Sequence, residues 1–224
     1  MTEYTAHGQL QKHTHTRKRC IPNKAEKAVD VSFNQSAINW AKVKADGISG
    51  SIVKCGYRGY KTGKLQEDDM YMKHIQGAYK EGLKVGIYFF TEAISASEGK
   101  AEAQYAIKLL KKSGVRLSYP IAIDTEEISG RKARANSKAL TKAKRTEAVK
   151  AFCEEIKAQG YEPMIYASKS WLENQLDMSK LPYKVWVAQY NDTCTYKGSK
   201  VMWQYTSSGK VDGISGRVDL SIVY

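Results

Sequence analysis

From residue 28 onward the sequence alternates short β-rich runs with amphipathic helical stretches, an alternation that confines the chain to an α/β fold built on a parallel sheet. The β-rich runs at 28–32, 51–55, 84–90, 119–124 and 163–167 are each followed by helical sequence, over 39–46, 68–81, 95–112, 141–159 and 169–176. Gly47, Gly82, Gly114 and Gly160 stop the first four of these helices. Three further β-rich runs, 184–188, 201–205 and 217–221, close the chain. The two connections between them, 189–200 and 206–216, are rich in Gly, Ser, Asn and Asp and carry no helical pattern. A parallel crossover needs a dozen or more residues and is usually helical, so the last strands are expected to run as antiparallel hairpins. The expected fold is α/β, an incomplete TIM-like (β/α)5(β)3 barrel over residues 28–224.

Residues 1–27 differ in kind. They hold few large apolar side chains and are expected to form a basic, flexible N-terminal arm. His13, His15 and Cys20 lie in it, but no spacing there fixes a metal geometry. The arm does not account for the basicity of the chain. Of the net charge of +13, the first 28 residues contribute +4 and the remainder +9. Such an excess predicts an anionic partner: nucleic acid, a membrane surface or an acidic wall polymer. Thr16-Arg-Lys-Arg19 would suit nucleic acid, yet no helix-turn-helix, zinc-finger or RNA-binding signature accompanies it, and no nucleic-acid partner is expected. No apolar run approaches the ~18 residues of a membrane span. The N-terminus has no apolar signal region, so the chain is expected to stay cytoplasmic until lysis or an unconventional export route releases it. Cys20, Cys55, Cys153 and Cys194 are scattered without C-x-x-C spacing and read as unpaired thiols.

In a barrel of this kind chemistry sits at the C-terminal ends of the strands. A buried parallel strand should be almost wholly apolar. Here the first ends in Asp30 and the fourth in Asp124 and Glu126, while Asp219 lies on the last. Residues i and i+2 of an extended chain share a face, so Asp124 and Glu126 project together with Cα atoms roughly 6.5–7 Å apart, and Glu127 points the other way. Two close carboxylates resist simultaneous ionisation, and one can keep its proton near neutrality, as a general acid for a glycosidic oxygen must. The D-x-E pattern is also compatible with a divalent cation, but no His accompanies it and no metal or other cofactor is expected. Tyr57, Tyr88, Tyr166 and Trp186 offer flat apolar faces with polar tips around the same rim, suited to sugar rings. Lys54, Phe90, Gln189 and Gln204 lie at or just past the strand ends and complete the candidate binding set.

These residues carry a resemblance. Val29-Asp-Val-Ser32, Ile38-Asn-Trp-Ala-Lys-Val43, Lys54-Cys-Gly-Tyr57, Val85-Gly-Ile-Tyr88 and Ile123-Asp-Thr-Glu126 occur in that order. Ile165-Tyr-Ala167, Val185-Trp-Val-Ala-Gln-Tyr190, Trp203-Gln-Tyr205 and Val218-Asp-Leu220 follow. Together they make residues 28–224 similar to the glycoside hydrolase family 25 lysozymes, the Chalaropsis-type N-acetylmuramidases of phage endolysins and bacterial autolysins. The resemblance implies an incomplete (β/α) barrel and hydrolysis of the β-1,4 bond between N-acetylmuramic acid and N-acetylglucosamine. It makes Glu126 the general acid, Asp124 its assistant as base or as orienter of the substrate acetamido group, and Asp30 and Asp219 members of the acidic cluster. Lys54, Tyr57, Tyr88, Tyr166, Trp186 and Gln189 would hold the glycan. Lys54 stands where many relatives have Arg, and Ser221 where Asn is common. The implied partners are bacterial peptidoglycan and, by electrostatics, anionic wall polymers, engaged by a monomer. The run from Arg131-Lys-Ala-Arg134 to Arg145, beside the fourth strand, reads either as a wall contact or as a solvated loop and helix face.

Overall fold

A computed structural model of the chain describes residues 25–128, 133–135 and 140–224. Strands β1 (Glu26–Val31), β2 (Gly50–Arg58), β4 (Lys84–Phe90), β5 (Ile121–Asp124), β6 (Pro163–Ser168), β7 (Lys184–Ala188), β8 (Met202–Gly209) and β9 (Val218–Val223) pair in the order β1-β9-β8-β7-β6-β5-β4-β2. The circle closes because β1 also pairs with β2. A short strand, β3 (Leu65–Glu67), extends β2 as an antiparallel hairpin. Helices α1 (Trp40–Ala45), α2 (Tyr71–Lys80), α3 (Ala96–Ser113), α4 (Lys142–Ala158) and α5 (Lys169–Asn174) lie within the predicted spans, except that α3 runs one residue past its own. The expected (β/α)5(β)3 barrel is the observed one.

Local chemistry fixes the helix ends. Asn39, Ser95, Thr141 and Ser168 cap α1, α3, α4 and α5 by accepting first-turn backbone N–H bonds. Gly114 ends α3 in the left-handed conformation at φ 69°. Gly99 lets α3 and α4 approach so closely that a Cβ there would collide with the Ala148 carbonyl.

Two expectations need correction. β1 begins at Glu26, two residues before the expected boundary, and Glu26 pairs with Lys84; the rest of the arm, with His13, His15 and Cys20, lies outside the described residues. The closing strands are not all antiparallel either: β8 runs parallel to β7, and only β9 reverses. The segment 189–201 makes the parallel crossover as a pinned loop rather than a helix. The Gln189 side chain brackets Thr195, donating to its Oγ1 at 2.8 Å and accepting from its N–H at 2.9 Å, and Trp203 Nε1 donates to the Gln189 carbonyl.

Strand alternation then builds the site. Ala28, Ile52, Ala122, Met164 and Met202 pack with Trp186 in one buried cluster inside the barrel. Two residues further along the same strands, on the same face, come Asp30, Lys54, Asp124, Tyr166 and Gln204. The apolar layer fills the barrel, and the polar layer forms its C-terminal mouth. Because β9 runs backwards, the second residue of that strand, Asp219, arrives at the mouth directly opposite Asp30 in the ladder. The intervening residues, Val29, Val31, Val53, Ile87, Ile121 and Ile123 among them, join the larger core under the helices.

Candidate active site

The mouth is a cavity of about 330 Å³. Asp30, Asp124, Glu126 and Asp219 line it together with Lys54, Tyr88, Phe90, Tyr166 and Trp186. Nine of the twelve predicted site residues therefore converge on one space. A second cavity of about 410 Å³ adjoins it, lined by Tyr57, Tyr60, Glu127 and Ile128. The two share Phe33, Lys54, Phe90 and Glu126, so the Glu126 carboxylate stands at their junction. Tyr57 belongs to the second space, and Glu127 faces it rather than the first.

Burial dominates the electrostatics. Asp124 is 4% exposed, and its Oδ1 has no hydrogen-bond partner among the described residues. Burial and the neighbouring Glu126 charge raise its pKa well above the ordinary range, against the pull of Lys54. Glu126 is raised by burial too, again opposed by Lys54 and reinforced by Asp219. Across the mouth, burial and the Asp219 charge raise Asp30, and the hydrogen bond these two share stabilises a proton on Asp30. The cation that balances the set is held by aromatic faces: Lys54 Nζ lies 5.0 Å from the Phe90 ring centre, 5.1 Å from Tyr57 and 5.7 Å from Phe33. Among the described residues, no group of three or more His, Cys, Asp or Glu is arranged to hold a metal ion.

Two predicted contacts sit elsewhere. Gln204 is 1% exposed and is not among the residues that line the cavity. Its amide donates to both oxygens of Asp30, at 3.2 and 3.1 Å, while its carbonyl oxygen accepts from the Tyr166 and Tyr190 hydroxyls at 2.8 and 2.9 Å. Its hydrogen-bonding groups are thus spent on Asp30 and the two tyrosines. Gln189 is turned into its own loop, because it follows the last residue of β7 and the loop must be closed there. Arg134 and Arg145 are likewise engaged inward: Arg134 pairs with Glu98 at 2.7 Å, and Arg145 stacks on Trp171. Arg131 and Lys132 lie outside the described residues.

The β1–α1 loop supplies what sequence reasoning missed. Ser32, Phe33, Asn34 and Gln35 line the cavity, and Phe33 is 54% exposed. Buried Asp68 accepts the Phe33 N–H at 3.1 Å, and His74 Nε2 donates to the Gln35 carbonyl at 2.9 Å. Its signal was available: a lone large aromatic, flanked by polar residues, three positions after a strand-end Asp.

Comparison with known proteins places this arrangement. The sequence profile of Glycosyl hydrolases family 25 matches residues 29–214. The autolytic lysozyme of Clostridium acetobutylicum is 26% identical over 195 residues, covering 87% of this chain and 54% of that protein. Lysozyme M1 of Streptomyces globisporus is 28% identical over 202 residues, covering 85% and 65% respectively. The chain thus spans about half to two thirds of the length of these relatives. Among solved structures, the modular autolysin LytC of Streptococcus pneumoniae, in complex with a synthetic peptidoglycan ligand, superposes with a TM-score of 0.78 at 32% identity, over 90% of this chain and 47% of that one. A family 25 glycosyl hydrolase from Bacillus anthracis shares the fold, with a TM-score of 0.73 at 20% identity over 93% of this chain and 94% of that one.

Proposed function

This chain belongs to glycosyl hydrolases family 25, and from that premise we propose that it is an N-acetylmuramidase, a lysozyme that hydrolyses the β-1,4 bond between N-acetylmuramic acid and N-acetylglucosamine in bacterial peptidoglycan. The observation that carries this reading is the place of Glu126, with one cavity on either side. A polymer crossing from one to the other sets its linking oxygen beside that carboxyl.

In this reading the substrate acetamido N–H, bonded to Asp124, favours the carboxylate form of that residue. Glu126, its own pKa raised by burial, therefore carries the proton and donates it to the glycosidic oxygen as the C–O bond breaks. The i, i+2 spacing of Asp124 and Glu126 leaves little room for a water on the face opposite the acid, which argues against simple inversion. The unpartnered Oδ1 of Asp124 instead accepts the substrate acetamido N–H. The acetamido oxygen then attacks the anomeric carbon, and Asp124 balances the positive charge that develops on that group. Water opens the cyclic intermediate and returns a proton to Glu126. Phe33, Phe90, Tyr57, Tyr88, Tyr166 and Trp186 offer the apolar walls along which the sugars lie.

The test is digestion of purified peptidoglycan followed by borohydride reduction. New ends recovered as muramitol are expected, and the first product read by NMR should be the β-anomer. Glucosaminitol ends, or release of peptides without reducing ends, would overturn the assignment. An initial α-anomer would overturn the acetamido mechanism alone.

The charge of +13 supplies a means of retention on the wall. Phosphate-rich wall polymers attract such a surface over a range set by salt screening, about 10 Å at 0.1 M ionic strength. Sedimentation with isolated walls should show binding falling roughly tenfold between ~0.05 and ~0.3 M salt. Salt-independent binding would point to a specific receptor. The site of action is the cell wall, and none of the described helices is long and apolar enough to cross a membrane.

A further inference from the structure

Asp124 is the last residue of β5, so Glu126 stands two residues past the end of the ladder that orders its neighbour. The residue between them, Thr125, is 2% exposed and by alternation faces away from the cavity, toward the helices. Two bonds fix it there. Its N–H donates to the Tyr166 carbonyl at 3.1 Å, and its Oγ1 accepts the indole N–H of Trp171 at 3.1 Å. Trp171 is itself immobilised. Its backbone N–H donates to Ser168 Oγ at 3.1 Å, and its ring lies 4.8 Å from the Arg145 guanidinium. Arg145 is buried and donates to Gln175 Oε1 at 3.1 Å and to the Ala135 carbonyl at 2.9 Å.

The geometry points to Thr125 and Trp171 as positioning residues that set the rotation of the segment carrying Asp124 and Glu126, with Arg145 bracing the indole from behind. The assignment rests on the reading of that pair as the reacting carboxyls. A segment leaving a strand end is free to twist about its own axis, and a twist swings both carboxyls across the mouth at once. The Thr125 hydroxyl, on the opposite side of the backbone, is the handle by which the helical layer prevents it. Misplacement of a reacting group by about 1 Å is enough to cost orders of magnitude in rate.

Thr125→Val removes the acceptor and keeps the shape, whereas Trp171→Phe removes the donor and keeps an aromatic ring on Arg145. Each is expected to lower kcat about tenfold with KM within about twofold of wild type. The double variant should fall no further than either single one, because both delete the same bond. Thr125→Ser should restore kcat. Wild-type kcat in Thr125→Val, losses that multiply, or a Thr125→Ser as slow as the valine variant would each overturn the inference. If Trp171→Phe does not fold, the Thr125→Val and Thr125→Ser pair decides alone. A readout independent of turnover is 13C NMR titration of the Asp124 and Glu126 carboxyls, whose linked curves should separate in Thr125→Val. A wild type that leaves peptidoglycan uncut sinks the proposed function but not this measurement, in which unchanged curves would sink the positioning role.

Discussion

Replacing Glu126 with Gln is expected to cut kcat on peptidoglycan about a thousandfold, with KM close to the wild-type value. The amide has the same shape but no acidic proton, so the sugar oxygen would have to leave as an alkoxide. Loss of a general acid alone is worth ~10²–10⁴. The expected stability change has the opposite sign. Glu126 is held above the ordinary glutamate range chiefly by burial. In the window between its ordinary and its folded pKa the folded protein therefore binds more protons than the unfolded one, and this carboxyl weakens the fold as pH rises through that window. Glu126→Gln removes the ionisation, and its melting temperature above neutrality should equal or exceed that of wild type. The combination is diagnostic: slow turnover with an unharmed fold assigns the loss to chemistry. A Glu126→Gln variant within tenfold of wild-type kcat would remove the acid from the mechanism.

The reason such a site is legible in a bare sequence is periodicity. Asp30, Lys54, Asp124, Tyr166 and Gln204 each follow an inward-facing apolar residue by two positions, so alternation alone puts them on one face of one barrel. The limits are equally physical. β3 is three residues long, and its pairing is set by hairpin closure, the Gly59 N–H donating to the Lys64 carbonyl, which leaves no pattern to read. The direction of β8 depends on how the 189–201 loop is pinned, by contacts that local propensity does not encode. Gln204 sits at the right face and the right end, but its amide is engaged by Asp30, Tyr166 and Tyr190, and which polar group of a layer is spent on its neighbours is not a property of periodicity. Glu102 is buried where Arg58, 44 positions away in the sequence, reaches it, a pairing that no local pattern carries.

That buried pair gives the largest expected effect on stability. Arg58 is 6% exposed and Glu102 0%. Arg58 Nε donates to Glu102 Oε1 at 2.7 Å, Nη1 to the Gly63 carbonyl at 2.7 Å and Nη2 to the Glu98 carbonyl at 3.0 Å. Thr91 Oγ1 donates to the other Glu102 oxygen at 2.6 Å. Burial raises Glu102 from 4.5 to about 7 even though Thr91 and Arg58 pull it down. Above pH 7 the folded protein thus carries a carboxylate whose compensating charge is Arg58. Removing one partner of such a pair typically costs about 3–5 kcal/mol, and Arg58→Met is expected to lose that much at pH 8.5. At pH 5.5 Glu102 is mostly protonated in the folded state of both proteins, no charge is stranded, and the loss should shrink by about half or more. The sign follows from the proton count. Without Arg58 the folded-state pKa of Glu102 rises further, the window in which the folded protein holds the extra proton widens upward, and the gap between variant and wild type grows with pH. Urea unfolding at the two pH values reads it directly. An equal loss at both would assign the cost to the orphaned Gly63 and Glu98 carbonyls instead of to the carboxylate. Exchanging both partners, Arg58→Met with Glu102→Leu, should recover most of the loss at pH 8.5. The consequence reaches the site, because Arg58 follows Tyr57 at the end of β2 and ties the hairpin bearing Tyr60 to α3. Loosening that tie opens the wall of the second cavity, so at pH 8.5 Arg58→Met should raise KM for long glycan strands before the protein unfolds.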